Sequence, residues 1–166
     1  MKTAAIFLTL FLGLGITLQA NTPPTALGKY CNVRFGFCVE YPDELFTKKD
    51  VSENNDGVVL TSADSDVQVR ISGYFNVMGS SIQEEYATFL KMKKETYGSV
   101  KDVSVQFSGN EFEASMRIGK QKHFARMILV NGNFILLNIE TNRRGADDAT
   151  HTIDVIRDKL IFTYDS

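Results

Sequence analysis

Four apolar–polar alternations follow one another between Val100 and Thr141, and that pattern leaves the chain few choices. Val103, Val105 and Phe107 recur at a spacing of two. So do Phe112, Ala114, Met116 and Ile118 in the next run. A period of two places one set of side chains on one face of a half-buried strand. The runs His123 to Val130 and Asn133 to Thr141 are joined by Asn131-Gly132, whose residues both tolerate positive φ and so favour a tight hairpin. Gly109-Asn110 and the segment Gly119 to Lys122 supply the other turns. The expectation is a meander of four antiparallel strands.

Two more strands and two helices complete the pattern. Val58 to Thr61 and Val67 to Phe75 read as strands around the polar turn Ser62 to Asp66. In the second, Val67, Val69 and Ile71 face one way and Gln68, Arg70 and Ser72 the other. Ser81-Ile82-Gln83-Glu84 is a capping box, in which serine and glutamate satisfy each other's backbone amides at a helix start. Ile82, Tyr86, Phe89 and Leu90 then recur at helical spacing up to Gly98, a natural stop. A second helix is expected from Ala146 to Lys159, with Asp147 and Asp148 at its positive end and Ala149, Ile153, Ile156 and Leu160 as its apolar stripe. Asp43 to Asp56 reads as a polar loop anchored by Leu45 and Phe46, and Ile161-Phe162 as a short docked tail. The fold class is α+β, an antiparallel sheet with two helices packed on it.

The N-terminus speaks to compartment. Lys2 precedes fifteen mostly apolar residues, Ala4 to Leu18, and Leu18-Gln19-Ala20 ends the run with a small residue. A spanning helix needs about twenty residues, so the layout is that of a secretory signal peptide cleaved after Ala20. The expected organisation is a leader at 1–20, a Pro-containing linker at 21–28 and one α+β domain at 29–166, in the periplasm or secreted. The position directly after the cleavage point is Asn21 and not a cysteine, which argues against a lipid anchor. Cleavage would remove Lys2 and take the net charge from −2 to about −3. This mild acidity argues against nucleic-acid binding, which leaves a basic footprint.

Cys31 and Cys38 are the only cysteines. An oxidising compartment lets them pair. The six residues between them, folded as a hairpin turning within Val33 to Gly36, bring them directly opposite, where Cα separations of about 4.5–5.5 Å suit a bridge. The alternatives are a redox pair, which prefers two intervening residues, and a metal site, which would need further ligands. The two histidines, His123 and His151, are distant in sequence.

Candidate sites are few. Arg117, Lys120, Lys122, His123 and Arg126 gather around the Gly119 hairpin as a patch for an anion or an acidic partner. Glu40 to Asp66 carries eight acidic residues against Lys48 and Lys49, so charge is polarised along the chain. Tyr74, Phe75 and Tyr86 could line a groove between sheet and helix. His151, with Asp147 and Asp154 on neighbouring turns, could form a base–carboxylate pair, but no Gly-x-Ser-x-Gly elbow supplies a nucleophile. Asp64-Ser65-Asp66 and Asp50 to Asp56 lack the spacing of a calcium loop. No cofactor or metal site is expected.

The run Phe35-Gly36-Phe37-Cys38-Val39-Glu40-Tyr41-Pro42 resembles the opening Gly-Phe-x-hydrophobic-x-Tyr-Pro strand of PsbP-like domains, and Asp56 to Ser62 is similar to their next strand pair. The order of helix, meander and C-terminal helix is similar too. The resemblance implies an α/β/α sandwich around a central antiparallel sheet. It implies no single function, because members of that group bind quite different partners. The functional expectation is therefore an exported, non-catalytic interaction domain binding a protein or a cell-envelope component. The alternatives are a small-ligand module with a pocket between sheet and helix, and an enzyme whose histidine sits beside a carboxylate in a polar pocket.

Overall fold

The computed structural model describes residues 26–142 and 146–164. The leader at 1–20 and the linker as far as residue 25 lie outside the described residues, as does the side chain of Asp147. Among the described residues no helix is long and apolar enough to cross a membrane.

Among the described residues ten strands form two antiparallel sheets. The small sheet has the order β1-β2-β10, from β1 (Leu27–Asn32), β2 (Phe37–Pro42) and β10 (Ile161–Tyr164). The large sheet has the order β3-β4-β5-β9-β8-β7-β6. Its strands are β3 (Phe46–Val51), β4 (Gly57–Ser62), β5 (Val67–Phe75), β6 (Val100–Ser108), β7 (Glu111–Ile118), β8 (Gln121–Val130) and β9 (Asn133–Thr141). The expected four-strand meander is β6 to β9, and Asn131 and Gly132 both take positive φ at its last turn.

Helix α1 (Ile82–Tyr97) lies on one face of the large sheet, against β6, β7 and β8. Its capping box is made as expected. The Ser81 hydroxyl accepts from the Glu84 amide at 3.3 Å, and the Glu84 carboxylate accepts from the Ser81 amide at 2.8 Å. That backbone hydrogen bond is the main reason the Glu84 carboxyl is held below its ordinary range. Helix α2 (Ala146–Lys159) packs on the opposite face, against β8 and β9, beside the small sheet. Val69, Ile71, Leu137 and Ile139 point to the α2 side, while Phe112, Met116, Met127 and Phe134 point to the α1 side. Each face has its own apolar core.

Three elements depart from the sequence reading. Leu27 and Gly28, expected in the linker, open β1, with Leu27 opposite Pro42. The Asp43 to Asp56 segment holds an edge strand, β3, in which only Phe46 is buried, so no alternation betrays it. The tail at Ile161 is a true strand, paired with β2 from Ile161–Glu40 to Tyr164–Phe37. Cys31 and Cys38 face each other across β1 and β2 and are joined by a disulfide.

Candidate functional site

The end of the large sheet where β5 finishes collects four turns. The β3–β4 turn, the β5–α1 loop, the β6–β7 turn and the β8–β9 turn all emerge there, as the pairings Val51–Val58, Phe75–Asn133 and Ser108–Glu111 require. The β1–β2 turn is clamped onto the same end. Asn32 is fully buried, and its amide donates to the Asn55 carbonyl at 2.8 Å and the Tyr30 hydroxyl at 3.1 Å. Its side-chain oxygen accepts from the Phe35 amide at 3.2 Å. Phe35 then lies on β5 where Gly73 leaves room, because a Cβ there would come 2.5 Å from the Phe35 ring.

Arg34 completes the clamp. It pairs with Asp56 at 2.8 Å, and its guanidinium lies 5.1 Å from the Phe35 ring and 5.2 Å from the Phe75 ring. Phe35 and Phe75 are themselves 5.0 Å apart. Beyond Phe75 the chain is fixed rather than slack. The Asn76 amide donates to the Gly132 carbonyl at 2.9 Å. The Asn76 side chain donates to the Ser80 carbonyl and accepts from the Ser80 amide, closing the loop. Val77 and Met78, inside this closed loop, are 83% and 85% exposed, and Val33 on the β1–β2 turn is 89% exposed. Isolated exposed apolar residues are common, but several gathered with a half-exposed phenylalanine and an arginine have the composition of a protein-binding surface.

The residues singled out in the sequence fall elsewhere. Tyr74 and Tyr86 lie on the α1 side. The Tyr74 hydroxyl donates to Glu85 at 2.7 Å and Tyr86 packs edge-on to Phe107 and Phe112. Burial, with the carboxylate beside it, pushes the Tyr74 phenol well above its ordinary value. Phe75, the next residue along β5, points to the opposite face, so the three do not share one groove. The basic hairpin is divided in the same way. Arg117 and Lys122 are cross-strand neighbours, with Arg117 bound to Asp102 at 2.6 Å and Lys122 donating to Thr150 of α2. Arg126 is held by Glu111 at 2.7 Å and Glu113 at 3.8 Å. Lys120 is exposed in the turn. His123 points through the sheet to the other face.

His123 is 1% exposed and faces Glu140 across the β8–β9 pair, Nδ1 to Oε1 at 3.5 Å. Lys93 reaches the same carboxylate at 3.8 Å from α1, its Nζ lying 5.5 Å from the ring centres of both Phe89 and Tyr97. Asn138 donates to Glu140 at 2.7 Å. Proximity to His123 is the largest influence holding the Glu140 carboxyl down to about 2; Lys93 and Asn138 add to it, while burial opposes it. Burial lowers Lys93, with Arg70 adding repulsion and Glu140 opposing both. The sequence reading missed Lys93 and Glu140. The signal for Lys93 was its place four residues after Phe89 on the apolar face of α1.

His151 stands on the α2 side, at the rim of a cleft of about 390 Å³ between α2, the turn after β4 and the start of β3. Phe46, Val67 and Ile156 are buried lining residues, Leu45 and Val155 half-buried ones, and Glu44 and Asp64 stand exposed at the edge. The cleft lies at the end of the sheet away from Val77 and Met78.

No family model and no curated protein matches the sequence. Solved structures do match the fold. The solution structure of cyanobacterial PsbP (CyanoP) from Synechocystis sp. PCC 6803 aligns with a TM-score of 0.57 at 11% identity, over 86% of this chain and 96% of that one. The Saccharomyces cerevisiae Ran-binding protein Mog1p aligns with a TM-score of 0.53 at 9% identity, over 82% and 95% of the two chains. The chain has a PsbP-like fold. The resemblance read from the Phe35 to Pro42 run is thereby met in the architecture, with the second sheet and α2 sharing one outer layer. At these identities the likeness concerns fold alone.

Proposed function

We propose that the protein is an exported, non-catalytic interaction domain that docks a partner protein of the cell envelope through the surface made by Val33, Arg34, Phe75, Val77 and Met78. The observation that carries this reading is the Asn76-closed loop, which holds Val77 and Met78 in water although nothing in the domain's own packing requires it. Aromatic, methionine and arginine side chains at a rigid surface are what protein partners bury. That Mog1p, a protein of this fold, is a Ran-binding protein is in keeping with a scaffold used for protein recognition. Export is supported by the apolar leader in the sequence and by the Cys31–Cys38 bridge, since disulfides persist in oxidising compartments.

The test is capture from envelope extract with the native domain and with a Val77→Ser/Met78→Ser variant. The native domain is expected to retain a partner that the variant loses, with unchanged far-UV circular dichroism. Equal capture by both, or none above background, would overturn the docking surface. Intact mass tests export separately, and full-length chain with reduced thiols recovered from the cytosol would contradict it.

A further inference from the structure

We propose that the Cys31–Cys38 bridge is a centre for reversible exchange with a low-molecular-weight thiol, and that Cys31 Sγ is the sulfur such a thiol attacks. The two cysteines face each other across β1 and β2. Tyr30 and Asn32 on β1, and Phe37 and Val39 on β2, are buried. Strand alternation therefore turns both cysteines to the outer face of the small sheet. Cys31 is exposed there and Cys38 half-buried. Exposed bridges belong to the labile and regulatory class.

The fold also chooses the sulfur. Displacement at sulfur needs the incoming thiolate, the attacked sulfur and the leaving sulfur nearly in line. Attack on Cys31 comes from beyond β1, an edge strand of its sheet. Attack on Cys38 comes across β10, whose Thr163 stands opposite it. The thiolate's electron pair forms a bond to Cys31 Sγ, the Cys31–Cys38 bond breaks, and Cys38 leaves as a thiolate that takes a proton from water. A second thiol attacks the small-molecule sulfur of the mixed disulfide, releasing Cys31 as a thiol. Two thiols are thereby oxidised to one disulfide and the bridge is reduced. Attack by Cys38 on Cys31 Sγ instead expels the small thiol and closes the bridge again.

Opening the bridge leaves the hairpin seated. Asn32 keeps its bonds to Asn55, Tyr30 and Phe35, Phe35 keeps its place on Gly73, and Arg34 keeps Asp56. None of these contacts uses a sulfur, so exchange proceeds in the folded protein. It requires no docked partner and stands apart from the surface at Val77 and Met78.

The oxidised protein is treated with glutathione at about pH 8, where part of the thiol is ionised, across urea concentrations below the unfolding transition. Free thiols are blocked with iodoacetamide at timed intervals. Trypsin cuts after Lys29, Arg34 and Lys48, so residues 30–34 carry Cys31 and residues 35–48 carry Cys38. The earliest adduct is expected to place glutathione on 30–34 and the blocking group on 35–48, at least about fivefold over the reverse. The rate is expected to be flat in urea and within about a hundredfold of that for the unfolded chain. Exchange gated by global unfolding would be slowed by about 10³-fold or more and would climb with the full equilibrium urea slope. Amide NMR of the reduced protein is expected to retain native dispersion. A smaller adduct ratio, a slower or urea-dependent rate, or loss of native dispersion on reduction would overturn the proposal.

Discussion

The two faces of the large sheet are built by different rules. Toward α2 and the small sheet, Leu60, Val69, Ile71, Leu137 and Ile139 meet Phe37, Val39, Ile153 and Ile156 in an apolar layer. Toward α1, an aromatic cluster around Phe112 covers only part of the face, and the rest holds Lys93, His123, Asn138 and Glu140. Both His123 ring nitrogens and the Asn138 side-chain oxygen are buried there without a hydrogen-bond partner. Helix α2 thus adheres by burying apolar area, whereas α1 adheres partly through charges whose attraction must offset their desolvation.

The contrast can be broken at several points. Leu60→Ala, in the dry layer, should cost about 3–4 kcal/mol through lost burial and a residual cavity. Urea denaturation would show this as a lower midpoint at an unchanged slope. Opening the Cys31–Cys38 bridge on the same side should cost about 2.5 kcal/mol by the chain-entropy relation for so short a loop. Melting with and without reductant measures it.

On the α1 side the expected effects are smaller and depend on pH. The folded Glu140 carboxyl titrates at about 2 against an ordinary 4.5. Its contribution is complete above pH 4.5 and is lost as pH falls toward 2. Glu140→Gln should therefore cost about 2 kcal/mol at neutral pH and flatten the stability curve below pH 4.5. A variant that kept the native acid limb would show that Glu140 is not its source. Ser81→Ala removes one side of the α1 capping box and should cost about 1 kcal/mol, read by thermal melting. Replacing the charged set together, with Lys93→Met, His123→Phe and Glu140→Leu, should leave global stability within about 1 kcal/mol of the parent, because the desolvation cost disappears with the attraction. A large loss there would mean that the polar cluster contributes stability in its own right, and the comparison of faces would need redrawing.

Much of this architecture is legible in the sequence alone. The meander was readable because half-buried strands alternate, and α1 because its cap and apolar spacing are both encoded locally. Strand β3 was not readable, since Thr47 to Val51 are all exposed and carry no period. Strand β10 is too short to show a pattern and is defined by its pairing with β2. The sites were harder, though part of the difficulty was arithmetic. Tyr74 and Phe75 are consecutive in a strand and so point apart, and the same rule divides His123 from Lys122. The Glu140 partnership depends on a cross-strand register that no local pattern discloses. Val77 and Met78 did carry a signal, two large apolar residues between Asn76 and Gly79 where turn chemistry predicts polar ones.

The rims of the large sheet carry one more consequence. Strand β3 shifts register between Phe46 and Lys48 and presents Lys48, Lys49 and Asp50 to water, while β6 shifts between Lys101 and Ser104, where Asp102 takes a φ of 51°. Irregular, charged borders make poor templates for a further chain. A crowded population of these molecules is thereby discouraged from stacking side by side into fibres, and the unpaired amides at either border stay hydrated.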